Sequence, residues 1–255
     1  MTSLKAIGFT FLLATGTMLA AQSSSNMAQQ VQSKLKGKRF QQVRASSDGN
    51  IVTLSGSVQL LADKLNAEEK ARKVDHVASV NDQIKVSSQA SDADLNKKLT
   101  DKLRYDRVGY YDQVGFPSAP VFNAFEVKVN DGNVTMSGIA YNYPDKASAV
   151  ALVESTPGVK SLNDEVEVAP TSINDDDLRL ALYRKIYGDE QLGRYGSDPS
   201  KPIRIIVING HATLYGTVMN EMDRTIAGIR ANEVPGLFSV ENKLTIEEQH
   251  NKKER

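Results

Sequence analysis

Apolar positions along this chain follow two rhythms, one of every second residue and one of every third or fourth, and the two alternate in a pattern that is written three times. Val134, Met136, Gly138 and Ala140 alternate with small or polar neighbours, and the same spacing recurs at Val52, Leu54, Gly56, Val58 and at Ala212, Leu214, Gly216, Val218. A period of two predicts a half-buried strand at each place. Upstream, Phe125/Val127/Val129, Ile203/Ile205/Val207 and, more weakly, Val43/Ala45 predict a partner strand entering a tight hairpin. Its turn needs a residue tolerant of positive φ, and Gly132, Gly210 and Asn50 supply one. Downstream, Ala67/Ala71/Val74, Ala149/Val153/Thr156 and Ala227/Ala231/Val234 form a narrow stripe of small residues at helical spacing. Pro157-Gly158 and Pro235-Gly236 stop that helix in the second and third copies. A last strand follows at Ile84/Val86, Val166/Val168 and Leu244/Ile246. Each copy opens with another helix, read from Met27/Val31/Leu35, Leu95/Leu99/Leu103 and Leu178/Leu182/Ile186.

The recurring unit is therefore helix, strand, strand, helix, strand, and the fold class is α+β: three tandem αββαβ domains, each a three-stranded mixed sheet packed against two helices. The pattern sets Gly56, Gly138 and Gly216 on the core face, where a missing side chain would let the alanine-lined helix approach the sheet. The copies span 24–86, 91–168 and 173–246, with insertions at about 104–123 and 187–202 and a polar tail at 247–255. Ser87 to Ala90 and Ala169 to Ser172 are short linkers, expected to act as hinges rather than parts of a fused core.

The αββαβ order, the Gly-x-Val-Thr-Leu-x-Gly type of second strand and the Gly-Val-x-x-Val-x-Asn type of lead into the last strand resemble the BON domain, named for bacterial OsmY and nodulation proteins. The resemblance runs from about Met27 to Ile246. The first copy departs from it with Asp75-His76 in place of Pro-Gly, and the third with Ala212 in place of valine. Membership implies a non-enzymatic envelope protein that associates with phospholipid surfaces or other envelope proteins, or gives chaperone-like protection under envelope stress. It supplies no catalytic motif.

Residues 1–23 read as a cleaved signal peptide: Lys5, an uncharged apolar run from Ala6 to Ala20, then small residues. That run is shorter than the roughly 20 residues of a spanning helix, and no second long apolar segment predicts a transmembrane span in the mature chain. With no cysteine there is no disulfide, thiolate metal site or lipid-acceptor residue, so the expected product is periplasmic and not a lipoprotein.

The balance of 31 basic and 31 acidic residues offers no global field for nucleic acid. The charge is uneven, however: Met27 to Val86 carries ten basic and six acidic residues, Asp92 to Val168 eight and twelve. Within the first copy Lys34, Lys36, Lys38 and Arg39 cluster at a helix end, either as contacts for anionic headgroups or as cations suited to the helix dipole. Lys64, Lys146 and Arg224 keep a positive charge at one equivalent position, a candidate row of lipid contacts or a tolerant surface site. The insertions gather Tyr105, Tyr110, Tyr111, Phe116, Phe122 and Tyr195, which form a partner-binding edge or fill extra core.

His76, His211 and His250 fall in different settings, Asp175-Asp176-Asp177 reads as dipole partners of a helix start, and no enzyme, metal or cofactor is expected. Two readings of function follow. One is a secreted envelope protein binding anionic phospholipid surfaces or envelope proteins through weak sites in tandem. The other is a structural spacer or assembly module of an envelope complex with no ligand of its own.

Overall fold

The computed structural model describes residues 26–87, 90–105, 119–197 and 202–247. The signal segment, Tyr110, Tyr111, Phe116, His250 and the side chain of Tyr105 lie outside the described residues. Two compact units divide the chain, the first ending at Ser88 and the second beginning at Gln89.

The first unit is one αββαβ copy: α1 (residues 26–34), β1 (Arg44–Asp48), β2 (Ile51–Val58), α2 (Leu61–Arg72) and β3 (Ser79–Val86). The second unit holds two more. One is α3 (Asp92–Tyr105), β4 (Ala124–Asn130), β5 (Asn133–Ala140), α4 (Tyr143–Glu154) and β6 (Ser161–Val168). The other is α5 (Ile173–Tyr187), a single turn α6 (Arg194–Ser197), β7 (Arg204–Ile208), β8 (His211–Val218), α7 (Glu221–Asn232) and β9 (Ser239–Ile246). In every copy the second strand is central, antiparallel to the first and parallel to the third, as a hairpin followed by a helical crossover requires.

The alternation places the core as expected. Val52, Leu54 and Val58, Val134, Met136 and Ala140, and Ala212, Leu214 and Val218 are all buried against Ala67/Ala71, Ala149/Val153 and Ala227/Ala231. Two turn details differ between copies. Asp131-Gly132 and Asn209-Gly210 take positive φ at both residues, whereas in the first copy Gly49, not Asn50, does so at φ 54°. After the second helix Gly158 and Gly236 take φ 108° and 91°, and His76 holds the same place at 66°.

The glycines of the second strand do not face the core. Gly56 is exposed, Gly138 and Gly216 are half-buried, and all three have φ between 109° and 127°. A Cβ there would lie 1.9 Å from the Gln42 carbonyl oxygen, 2.0 Å from that of Ala124 and 2.6 Å from that of Pro202. The close neighbour is thus the backbone leading into the first strand, not the helix. Strand alternation assigns these positions to the core face, but the left-handed φ breaks the alternation locally.

The linker from Ala169 to Ser172 is not a hinge between separate cores. Phe122, from the second copy's connection, packs with Leu182, Ile203 and Leu214 of the third copy's core. Arg204 donates to the Asn123 carbonyl at 2.8 Å, and the guanidinium of Arg179 lies 5.0 Å from the Tyr141 ring centre. Arg179 is only 2% exposed and is held by Asp176 and the Val207 carbonyl, both at 2.5 Å. Burial, and then the Asp176 carboxylate, hold the Tyr141 hydroxyl above its ordinary pKa.

Candidate functional site

The basic cluster of the first unit is built on a buried backing. Val31 and Leu35 anchor the end of α1, and Phe40 anchors the 3-10 turn Lys38–Phe40 that follows Gly37. Between these anchors Lys34, Lys36, Lys38 and Arg39 are all exposed. Arg39 is partly committed: it lies 3.6 Å from Asp63 and donates to Asn66 at 3.4 Å, with its guanidinium 4.8 Å from the Phe40 ring centre. Lys34, Lys36 and Lys38 form no ion pair among the described residues. The turn therefore presents three ammonium groups from a rigid base.

The repeated cation at the second helix belongs elsewhere. Lys64 Nζ donates to the Ile84 carbonyl at 2.8 Å and lies 3.8 Å from Asp82; Lys146 Nζ does the same to Val166 at 2.5 Å and Asp164 at 3.1 Å. Both tie the helix to the free side of the last strand, so neither ammonium is offered to a headgroup. Arg224 instead pairs with Glu221 of its own helix at 3.4 Å. Sequence comparison sees a row of positive charges, but the partners of Lys64 and Lys146 lie far along the chain, on the last strand.

Phe122 and Tyr195 are 1% and 3% exposed and are core residues, not part of a binding edge. These two rings are buried because Phe122 and Tyr195 pack into the core of the third copy. Tyr195 donates its hydroxyl to Asp223 at 2.5 Å.

That aspartate belongs to a set the sequence pattern did not reveal. Asp63, Asp145 and Asp223 stand at one equivalent position in the first turn of the second helix and are all buried. Each meets the connection that follows the first helix: Asp63 faces Arg39, Asp145 accepts from Asn123 at 2.8 Å, and Asp223 binds Arg194 and Tyr195. Among the described residues Asp145 alone has no cation there and its Oδ1 has no partner; burial raises its pKa despite bonds to Asn123 and Asn142. The signal was present as a repeated Asp-Lys or Asp-Arg pair, but an acidic residue in a first helical turn reads as a solvated dipole partner.

Asp175 likewise does more than face a dipole. Its carboxylate accepts from the turn amides of Asn209 and Gly210, both at 2.8 Å, and Asp92 grips Asp131 and Gly132 in the same way. His211 shares a hydrogen bond with Ser239 at 2.8 Å. Among the described residues no three His, Cys, Asp or Glu side chains gather as metal ligands, and no helix is long and apolar enough to cross a membrane.

The described residues of the second unit line several clefts, of which two bear on function. One, of about 520 Å³, is lined by Lys185, Asp189 and Arg230, which are tied into pairs with one another and with Glu233. The other, of about 430 Å³, runs between the two sheets past Arg104, Phe125, Glu126, Arg204 and Tyr215. Burial, and then the neighbouring Arg104, push Arg204 down to about 10.

Comparison with known proteins agrees with the repeat. Among solved structures, CdsD, described as a structural protein of the type III secretion system of Chlamydia trachomatis, is 16% identical, over 87% of this chain and 92% of that one, with a TM-score of 0.25. The periplasmic domain of the type III secretion inner-membrane protein PrgH from S. typhimurium is 11% identical, over 84% and 96%, with a TM-score of 0.20. Similarities this slight assign nothing to the present chain. No curated protein matches it. The family model of the BON domain matches residues 23–88, 91–170 and 189–248, the last match beginning after α5. Those three matches follow the three mixed sheets, and the chain belongs to the BON domain family.

Proposed function

We propose that this chain works without catalysis on the periplasmic side of a bacterial envelope, where its first unit holds to anionic phospholipid surfaces. The observation that carries the reading is the turn after α1. Lys34, Lys36 and Lys38 are exposed, form no ion pair among the described residues and stand on a buried backing. Each such cation contributes about 1 kcal/mol beside an anionic leaflet. Three of them with Arg39 give weak, reversible attachment that falls as salt rises. The leader-like first 23 residues and the family resemblance support export.

Co-sedimentation of the chain from Gln22 onward with neutral and anionic liposomes tests this. Binding to anionic vesicles at low salt is expected, reduced at physiological salt and abolished when Lys34, Lys36, Lys38 and Arg39 are replaced by glutamine. Replacing Lys64 and Lys146 is expected to lower stability without a comparable loss of pelleting. No pelleting in any condition would overturn the lipid reading and leave envelope proteins as the partners to pursue.

A further inference from the structure

Among the described residues the last strand of each sheet has only one neighbour, and the three copies treat that edge differently. In β9 the amide of Glu247, just beyond the strand, bonds the Val218 carbonyl of β8, so odd-numbered residues face β8 and Val240, Asn242, Leu244 and Ile246 turn their backbone groups to the open side. The equivalent open groups of β3 and β6 are plugged. Ile84 has its amide bonded by Asp82 at 2.8 Å and its carbonyl by Lys64 at 2.8 Å. Val166 is held by Asp164 at 3.0 Å and Lys146 at 2.5 Å. In the third copy a neutral Asn242 reaches the Leu244 amide at 3.2 Å, and Arg224 has turned to Glu221, leaving the Leu244 carbonyl without a partner among the described residues. A charged plug of this kind is a common guard against strand addition, and β9 lacks half of it.

The β9 sequence is also complementary to itself. We propose that β9 is a dimer interface, pairing antiparallel with β9 of a second copy of this chain about a two-fold axis at Asn242. In that register Glu241 stands opposite the partner's Lys243 and Lys243 opposite the partner's Glu241. Val240 meets the partner's Leu244. Ile246, at the end of the paired strands, is 41% exposed in the single chain. Shifting the pairing by one step either way sets Glu241 against its own copy or Lys243 against its own copy, so charge selects a single register. The corresponding residues are Asn81 and Gln83 in β3, and Asn163 and Glu165 in β6, neither of which offers opposite charges. An isologous contact of this kind closes on itself as a dimer.

Sedimentation velocity on the chain from Gln22 onward, over a range of concentrations, tests the interface with substitutions at Glu241 and Lys243, which pair with each other at 3.1 Å in the single chain. The expected result is a reversible monomer–dimer equilibrium. Glu241→Lys and Lys243→Glu should each weaken it about tenfold or more, because either change makes two like-charged pairs at once. The combined Glu241→Lys/Lys243→Glu protein should regain the original affinity, since the charges are exchanged and not lost. A monomer at every concentration, a dimer indifferent to the single reversals, or no recovery in the combined protein would each overturn the proposal.

Discussion

His76 sits at φ 66° where the other two copies place glycine, a backbone region that costs a side-chain-bearing residue about 1 kcal/mol. His76→Gly is therefore expected to stabilise the first unit by up to about 1 kcal/mol in urea unfolding, with no change in the second. Aligning the copies exposes the Asp75-His76 departure from Pro-Gly, and the structure supplies the dihedral that gives it a consequence. Asp145 is the opposite case, since the repeated Asp-Lys or Asp-Arg pair marks the position but not its burial. Its burial raises its pKa, so the folded protein holds that proton more tightly than the unfolded chain does. The stability it contributes is complete below the ordinary aspartate value of 3.8 and is lost as pH rises through the raised value. Asp145→Asn should accordingly gain stability over the native protein at neutral pH, by a margin that shrinks as pH falls toward 3.8. Unfolding the two proteins in parallel across that range checks the sign; a margin that grows on acidification would contradict it.

Helices and strands were legible because each has one buried face and a short period. The alanine stripes of α2, α4 and α7 and the alternating β2, β5 and β8 stand where the pattern puts them. The caps are equally local: the Asn142 and Asn220 side chains accept from the amides three residues on, both at 2.8 Å. What periodicity assigned wrongly is the central-strand glycine, because a left-handed φ interrupts the two-residue rhythm and turns the position toward the Gln42, Ala124 or Pro202 carbonyl. The edge plugs were also missed as such. Lys64 and Ile84 are separated by a helix and a turn, so a surface lysine and a strand plug look identical in the sequence.

At the scale of the molecule, the second and third copies share one unit while the first forms a unit of its own. The residues that join them occur once only. Tyr141 meets Arg179 here, whereas the positions equivalent to Tyr141 hold Gln59 and Met219. Phe122 is the sharpest test, since it belongs to the second copy in sequence and to the third in packing. Phe122→Ala should cost about 3–5 kcal/mol. Hydrogen exchange should show the loss of protection extending through 173–246, with 26–87 unchanged; loss confined to 90–168 would show that the ring serves its own copy instead.

The repeat, the αββαβ order, the small-residue helix faces and the basic turn at Lys34 to Arg39 were determined by the sequence alone, because each depends on neighbours within a few residues or on comparing one copy with another. The fused second unit, the buried aspartates, the plugged edges of β3 and β6 and the open edge of β9 were decided only by the tertiary structure. All of these arise where segments distant along the chain compete for the same polar groups or the same apolar space, and that competition is settled by geometry rather than by residue type.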